Sequence, residues 1–201
     1  MRRVLFATAC LALFNVPATA QERIPDEQLA KAAKRLADAA EKAEGLPRKT
    51  DVDAAKASGI KADEVGAVFL PEKSFDAEAL AKVGDEPVAV GQLWLLGLTP
   101  EVDGVGASTD KLRILEVKGE NRTRDVALFL VSIRKKGDAL ELAFTAKEKE
   151  PIVAVALADH KSESDVPVFV DGEKVDDSSG DVILQILGKH RAKLRVRGID
   201  E

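Results

Sequence analysis

The chain has 201 residues, 45% of them hydrophobic, and its 30 lysines and arginines face 35 aspartates and glutamates for a formal charge of −5. That apolar share supplies a core and excludes wholesale disorder. The acidic balance argues against nucleic acid or an anionic membrane recruited by bulk charge, and the single cysteine, Cys10, excludes an intrachain disulfide.

Arg2 and Arg3 form a positive start, Val4 to Phe14 an apolar run interrupted by Thr8, and Ala18-Thr19-Ala20 the small-x-small pattern of a signal-peptidase site. The run is about half the ~20 apolar residues that span a bilayer, so it predicts no transmembrane segment in the mature chain. Residues 1–20 therefore read as a signal peptide, with Gln21 as the mature N-terminus. Arg2, Arg3 and Cys10 leave with it while no acid does, giving a mature charge of −7 and no thiol. Stability then rests on core burial, without a covalent staple. Ala7-Thr8-Ala9-Cys10 is a faint lipobox, but only six residues precede it and the apolar run continues through Phe14, so a lipid-anchored form is not expected. Asn121-Arg122-Thr123 fits the N-glycosylation triplet.

Residues 21–47 predict a helix or spacer. Pro25 and the acids after it suit a helix start, and Leu29, Ala32, Ala33, Leu36, Ala37, Ala40 and Ala43 recur at helical spacing. Gly45 and Pro47 end it. Because the stripe is mostly alanine, the helix should dock shallowly. Residues 48–86 read as short helices and one strand packed on the main domain. Asp51 caps Val52–Ser58 with Gly59 closing it, Gly66–Leu70 forms the strand, and Asp76 caps a helix through Val83 that ends in a left-handed Gly84.

Residues 87–201 change to β periodicity. Strands are predicted at Val88–Leu98, Leu112–Lys118, Asp125–Arg134, Ala139–Ala146, Ile152–Ala158, Val166–Val170, Glu173–Val175, Val182–Leu187 and Ala192–Val196. Lys136-Gly137-Asp138 and Asp171-Gly172 are the hairpin signals. Both faces of Val126–Val131 and of Val182–Leu187 are apolar, which marks them as covered on both sides, whereas Glu141, Ala143 and Thr145 give their strand a wetter face. The expected fold is mainly β, an antiparallel β-sandwich or barrel preceded by a short helical N-terminal region.

Three groups of residues carry candidate chemistry. Asp176, Asp177 and Asp181, with Ser178, Ser179 and Gly180 between them, form the densest acidic bend, and calcium wants such hard oxygens. The bend lacks EF-hand spacing, and these residue types also build ordinary turns. Lys189, Arg191, Lys193, Arg195 and Arg197 fall on one face of a strand. Such a row can grip a polyanion, protect a strand edge, or face the chain's own acids. His160 and His190 are the only imidazoles, and no spacing links them as a metal pair or catalytic dyad. Trp94, among leucines, reads as core. No cofactor motif is present, calcium being the one metal the composition suits.

The sequence thus predicts an exported, non-enzymatic binding or structural module, envelope-associated or extracellular, with a macromolecular partner and no nucleic acid. The alternatives are a hydrolase of envelope polymers using dispersed carboxylates, or a calcium-stabilised β domain.

Overall fold

The computed structural model describes residues 21–84, 86–119 and 122–199. The signal-peptide pattern, Cys10 and Asn121 lie outside the described residues. Two antiparallel sheets face each other across a shared core, the sandwich-like arrangement the alternation predicts.

The first sheet is built from β1 (Glu22–Arg23), β2 (Ser58–Ala62), β3 (Val65–Pro71), β4 (Val88–Leu96), β7 (Arg113–Lys118), β8 (Thr123–Lys136), β9 (Ala139–Thr145) and β10 (Val153–Ala156). Its order is β1-β2-β3-β4-β8-β9-β10, with β7 pairing the first half of β8. The second contains β5 (Leu98–Val102), β6 (Val105–Gly106), β11 (Ala158–Asp159), β12 (Val168–Lys174), β13 (Ser179–Ile186) and β14 (His190–Gly198). Its order is β12-β13-β14-β5-β6, with β11 also on β14.

Alternation decides which side chains fill the core. Phe69, Leu93, Leu95, Phe129, Val131 and Phe144 point inward from the first sheet and meet Val168, Val170, Val182, Leu184, Leu194 and Val196 from the second. Val68, Leu70, Trp94, Val126, Leu128 and Leu130 point outward from the first sheet, and they are buried too. Their cover includes α1 (Asp26–Lys42), which docks Ala33, Leu36 and Ala40 onto this outer face. The double-sided apolar pattern of β8 is therefore met by two separate cores. A second helix, α2 (Ala77–Ala81), begins at Asp76, whose carboxylate accepts the N–H groups of Glu78 and Ala79.

Several local expectations are corrected. Asp51 does not cap a helix over 52–58. Asp53 caps a single 3-10 turn at Ala54–Lys56, and Gly59 lies within β2, where a Cβ would sit only 3.0–3.1 Å from Ala67, Ile24 and Val68. Gly84 is not left-handed; the left-handed glycine nearer the N-terminus is Gly45, just past α1. The predicted strand 88–98 is two strands. Gly97 breaks it at φ +63°, turning the chain from the first sheet into the second. Likewise 152–158 divides at Leu157, with β10 in one sheet and β11 in the other.

Asp171-Gly172 is not a hairpin turn. Both residues lie inside the continuous strand β12, opposite Ile183 and Val182, and the reversal comes later at 175–178. The Gln21 and Ile60 side chains pack over Gly172, where a Cβ would have to displace their ends, so a close approach imitates a turn signal. Gly137, at φ +62°, does form the β8–β9 hairpin. The wetter face expected of β9 is also drier than its composition suggests, because Glu141 is buried against Arg134, its register partner on β8.

Candidate functional site

The acidic bend is organised by its own hydrogen bonds. Asp176 accepts the Ser178 N–H at 2.8 Å, the Ser178 hydroxyl at 3.0 Å and the Ser179 hydroxyl at 2.6 Å. These donors hold its carboxyl far below the ordinary carboxylate range, the Ser179 hydroxyl contributing most. Asp177 pairs with Lys174 at 2.9 Å. Asp181 is buried on the outer face of β13 and pairs with Arg195 at 2.5 Å and Lys193 at 3.7 Å. Among the described residues no three His, Asp or Glu side chains gather in a way that could hold a metal ion.

The basic row alternates along β14, with Ala192, Leu194 and Val196 buried and Lys193 and Arg195 exposed. Lys189 lies in the turn before the strand, outside the alternation. β14 pairs β13 from His190 to Arg197, while its other side pairs β11 at His190–Arg191 and β5 at Val196–Gly198. Lys193, Arg195 and Arg197 meet acids on other strands, whereas Arg191 lies opposite Gln185 and Ala158. Asp181 is the register partner of both Glu173 and Arg195, Lys193 reaches Glu173 at 2.9 Å, and Arg197 approaches Glu101 at 3.5 Å. The Arg195 guanidinium is raised above its ordinary value, chiefly by its hydrogen bond to Asp181. Ile183, opposite Lys193 in register, is buried on this same face outside the two apolar cores.

His190 places Nδ1 3.3 Å from the exposed Asp159 carboxylate, its register partner across β11 and β14. His160 follows Asp159 and donates its backbone N–H to the Lys189 carbonyl.

A different place combines concavity with chemical contrast. Two register rows run side by side on the outer face of the first sheet: Val68, Trp94 and Leu128, then Gly66, Leu96 and Val126. The helix α1 lies against this face, but its alanine stripe does not fill the space beside it. Ile24, Gln28, Ala32 and Leu36 form one wall of a groove of about 340 Å³, whose floor is Val68, Trp94, Leu96 and Val126. Gly66 has no side chain, so the floor dips between Lys61 and Leu96, its partners on either side. Around this apolar floor stand Arg35, Lys61 and Arg124. Asp63 is the only carboxylate among the described lining residues. On a chain of net negative charge, this groove is locally positive.

These residues come from six elements and share no sequence motif. Two signals point to them: the double-sided apolarity of Val126–Val131, which requires an outer cover, and the small side chains of the helix that provides it.

Beyond the other end of α1, Gln92 is buried, accepts the Trp94 indole N–H at 3.0 Å and donates to the Thr50 hydroxyl at 2.6 Å. Nearby, Arg48 donates to the Val131 carbonyl at 2.6 Å. Glu72 accepts the Asp51 N–H on Oε1, while its buried Oε2 has no hydrogen-bond partner. Burial pushes the Glu72 carboxyl up and the Arg48 guanidinium down.

Searches against protein-family models, curated proteins and solved structures found no match to this chain. Among the described residues, no helix is long and apolar enough to cross a membrane.

Proposed function

We propose that the chain is an exported, non-enzymatic binding module of the envelope or the extracellular space, and that its binding face is the groove between α1 and the first sheet. The observation that carries this reading is the half-open apolar floor ringed by cations. A cavity of about 340 Å³ is within the size range of small-molecule sites, and an apolar lining with a few placed polar groups is their usual construction. Export is supported by the Arg2-Arg3 start, the Val4–Phe14 run and the Ala18-Thr19-Ala20 pattern.

Two measurements test the two halves of the proposal. N-terminal sequencing of the protein recovered from a bacterial periplasmic fraction should read from Gln21; a cytosolic product starting at Met1 would refute export. The neutral fluorophore 1-aminoanthracene should bind the purified protein, and Ala32→Phe, which fills the groove from the helix wall, should abolish binding. Undiminished binding to that variant, with its melting transition intact, would remove the groove from consideration.

A further inference from the structure

The groove's shape and charge together narrow its occupant. We propose that it holds a single-chain amphiphile with an anionic head, a long-chain carboxylate, lying with its tail on Trp94, Leu96 and Val126 and its head among the rim cations. This deepens the binding-module reading and rests on it.

Size excludes bulkier apolar occupants. A helix with its side chains is about 10–12 Å across, too broad for a cleft of about 340 Å³ walled by α1 on one side. The floor runs across strands: Lys61 on β2, then Gly66, Leu96 and Val126 on β3, β4 and β8 occupy consecutive register positions. Three inter-strand steps of about 4.8 Å make a slot roughly 14 Å long, a length that suits one extended acyl chain. Lys61 stands at one end of this row. Arg124 stands near the other, on β8.

Charge selects the head group. Glu64 already pairs with Arg124 at 2.8 Å. Lys61, opposite Glu22 in register, has no ion pair among the described residues, so its end of the slot offers a lysine to an incoming anion. A carboxylate that gains a charge-assisted hydrogen bond is held more strongly than one with neutral donors, whereas a cationic head would meet Lys61 at that end and find Asp63 as the one carboxylate among the described lining residues. The chain's only tryptophan, Trp94, is in the floor, which makes the site self-reporting.

The test uses the purified full chain, with ligands kept below their micelle concentrations. Dodecanoate should displace 1-aminoanthracene, and 12-bromododecanoate should quench Trp94. Affinity should rise about fourfold for each methylene added from octanoate to dodecanoate. Dodecyltrimethylammonium should bind at least tenfold more weakly than dodecanoate, and Lys61→Gln, with its melting transition intact, should erase most of that preference. Ala32→Phe should block both probes. If that variant fails to fold, Gln28→Phe at the exposed lip of the groove serves the same purpose. Equal affinity for the two head groups, or dye binding that dodecanoate cannot displace, would overturn the carboxylate proposal and leave the binding-module reading standing. Failure of every apolar probe, the dye included, would overturn both.

Discussion

The Ser58 hydroxyl on β2 accepts the backbone N–H of Val170 at 3.1 Å, joining the first sheet to β12, the edge strand of the second. The same hydroxyl donates to the Val168 carbonyl at 2.7 Å, so one side chain pairs a carbonyl and an N–H on the outer side of β12. An unpaired edge is costly when buried and aggregation-prone when exposed. Here a serine substitutes for a neighbouring strand.

Ser58→Ala leaves a buried N–H and a buried C=O without partners. At about 1–3 kcal/mol for such a group, the variant should lose roughly 2–4 kcal/mol of stability. Differential scanning calorimetry should show Tm lowered by roughly 5–10 °C. A shift under a degree would mean that water or a local shift replaces both bonds.

Gly91 follows the bulge in β4, where Val90 is the extra residue between Ala89 and Gly91. Its φ is +151°, and a Cβ there would lie 2.2 Å from the Leu70 carbonyl oxygen. Gly91→Ala therefore combines a disfavoured backbone with a clash against backbone, and should cost about 2–4 kcal/mol in urea unfolding. By comparison, Gly104→Ala meets nothing within 4 Å and bears only the strain of its positive φ of +81°. It should cost distinctly less.

Burial raises the Glu72 carboxyl above its ordinary value, which makes the folded state bind a proton more tightly than the unfolded chain. Stability from this group is complete below the unfolded value and is lost as pH rises through the raised folded value. Glu72→Gln keeps an oxygen for the Asp51 N–H and removes the titration. The variant's Tm should fall less than that of the parent as pH rises above about 4, with the two profiles diverging toward neutrality. Parallel profiles would show that the carboxylate is solvated rather than confined.

Asp176 acts with the opposite sign. Its carboxyl is held low by the Ser178 and Ser179 donors, so its contribution is present above the unfolded value and is lost as pH falls below about 4. Asp176→Ala should lower Tm at pH 7 and flatten the acid limb of the profile. Adding millimolar calcium to the parent protein should leave Tm unchanged, because the three carboxylates in this bend are committed to Ser178, Ser179, Lys174, Lys193 and Arg195. A calcium-dependent rise of several degrees would show that the metal recruits them from those partners.

The sequence by itself determined the elements that depend on local pattern. Alternation in Val126–Val131 defines a strand with two apolar faces, and the alanine–leucine stripe from Leu29 to Ala43 defines a shallow helix that covers one of them. Gly137 marks its hairpin, and Asp76 its helix start, because each satisfies a constraint within a few residues. Only the tertiary structure decided what depends on neighbours distant in the chain. Gly97 reads as one more residue of a strand until the second sheet claims Leu98–Val102, and Gly172 reads as a turn until Gln21 and Ile60 are seen packed over it. The cation row of β14 was legible as a stripe, but its opposing acids come from three other strands, set by register rather than spacing. The groove is the extreme case. Its floor is a row across strands and its wall a helix from the far end of the chain, so no local pattern encodes it. Periodicity along a chain reports which face a residue takes, whereas a site is made by the side chains that folding brings to the same face from elsewhere.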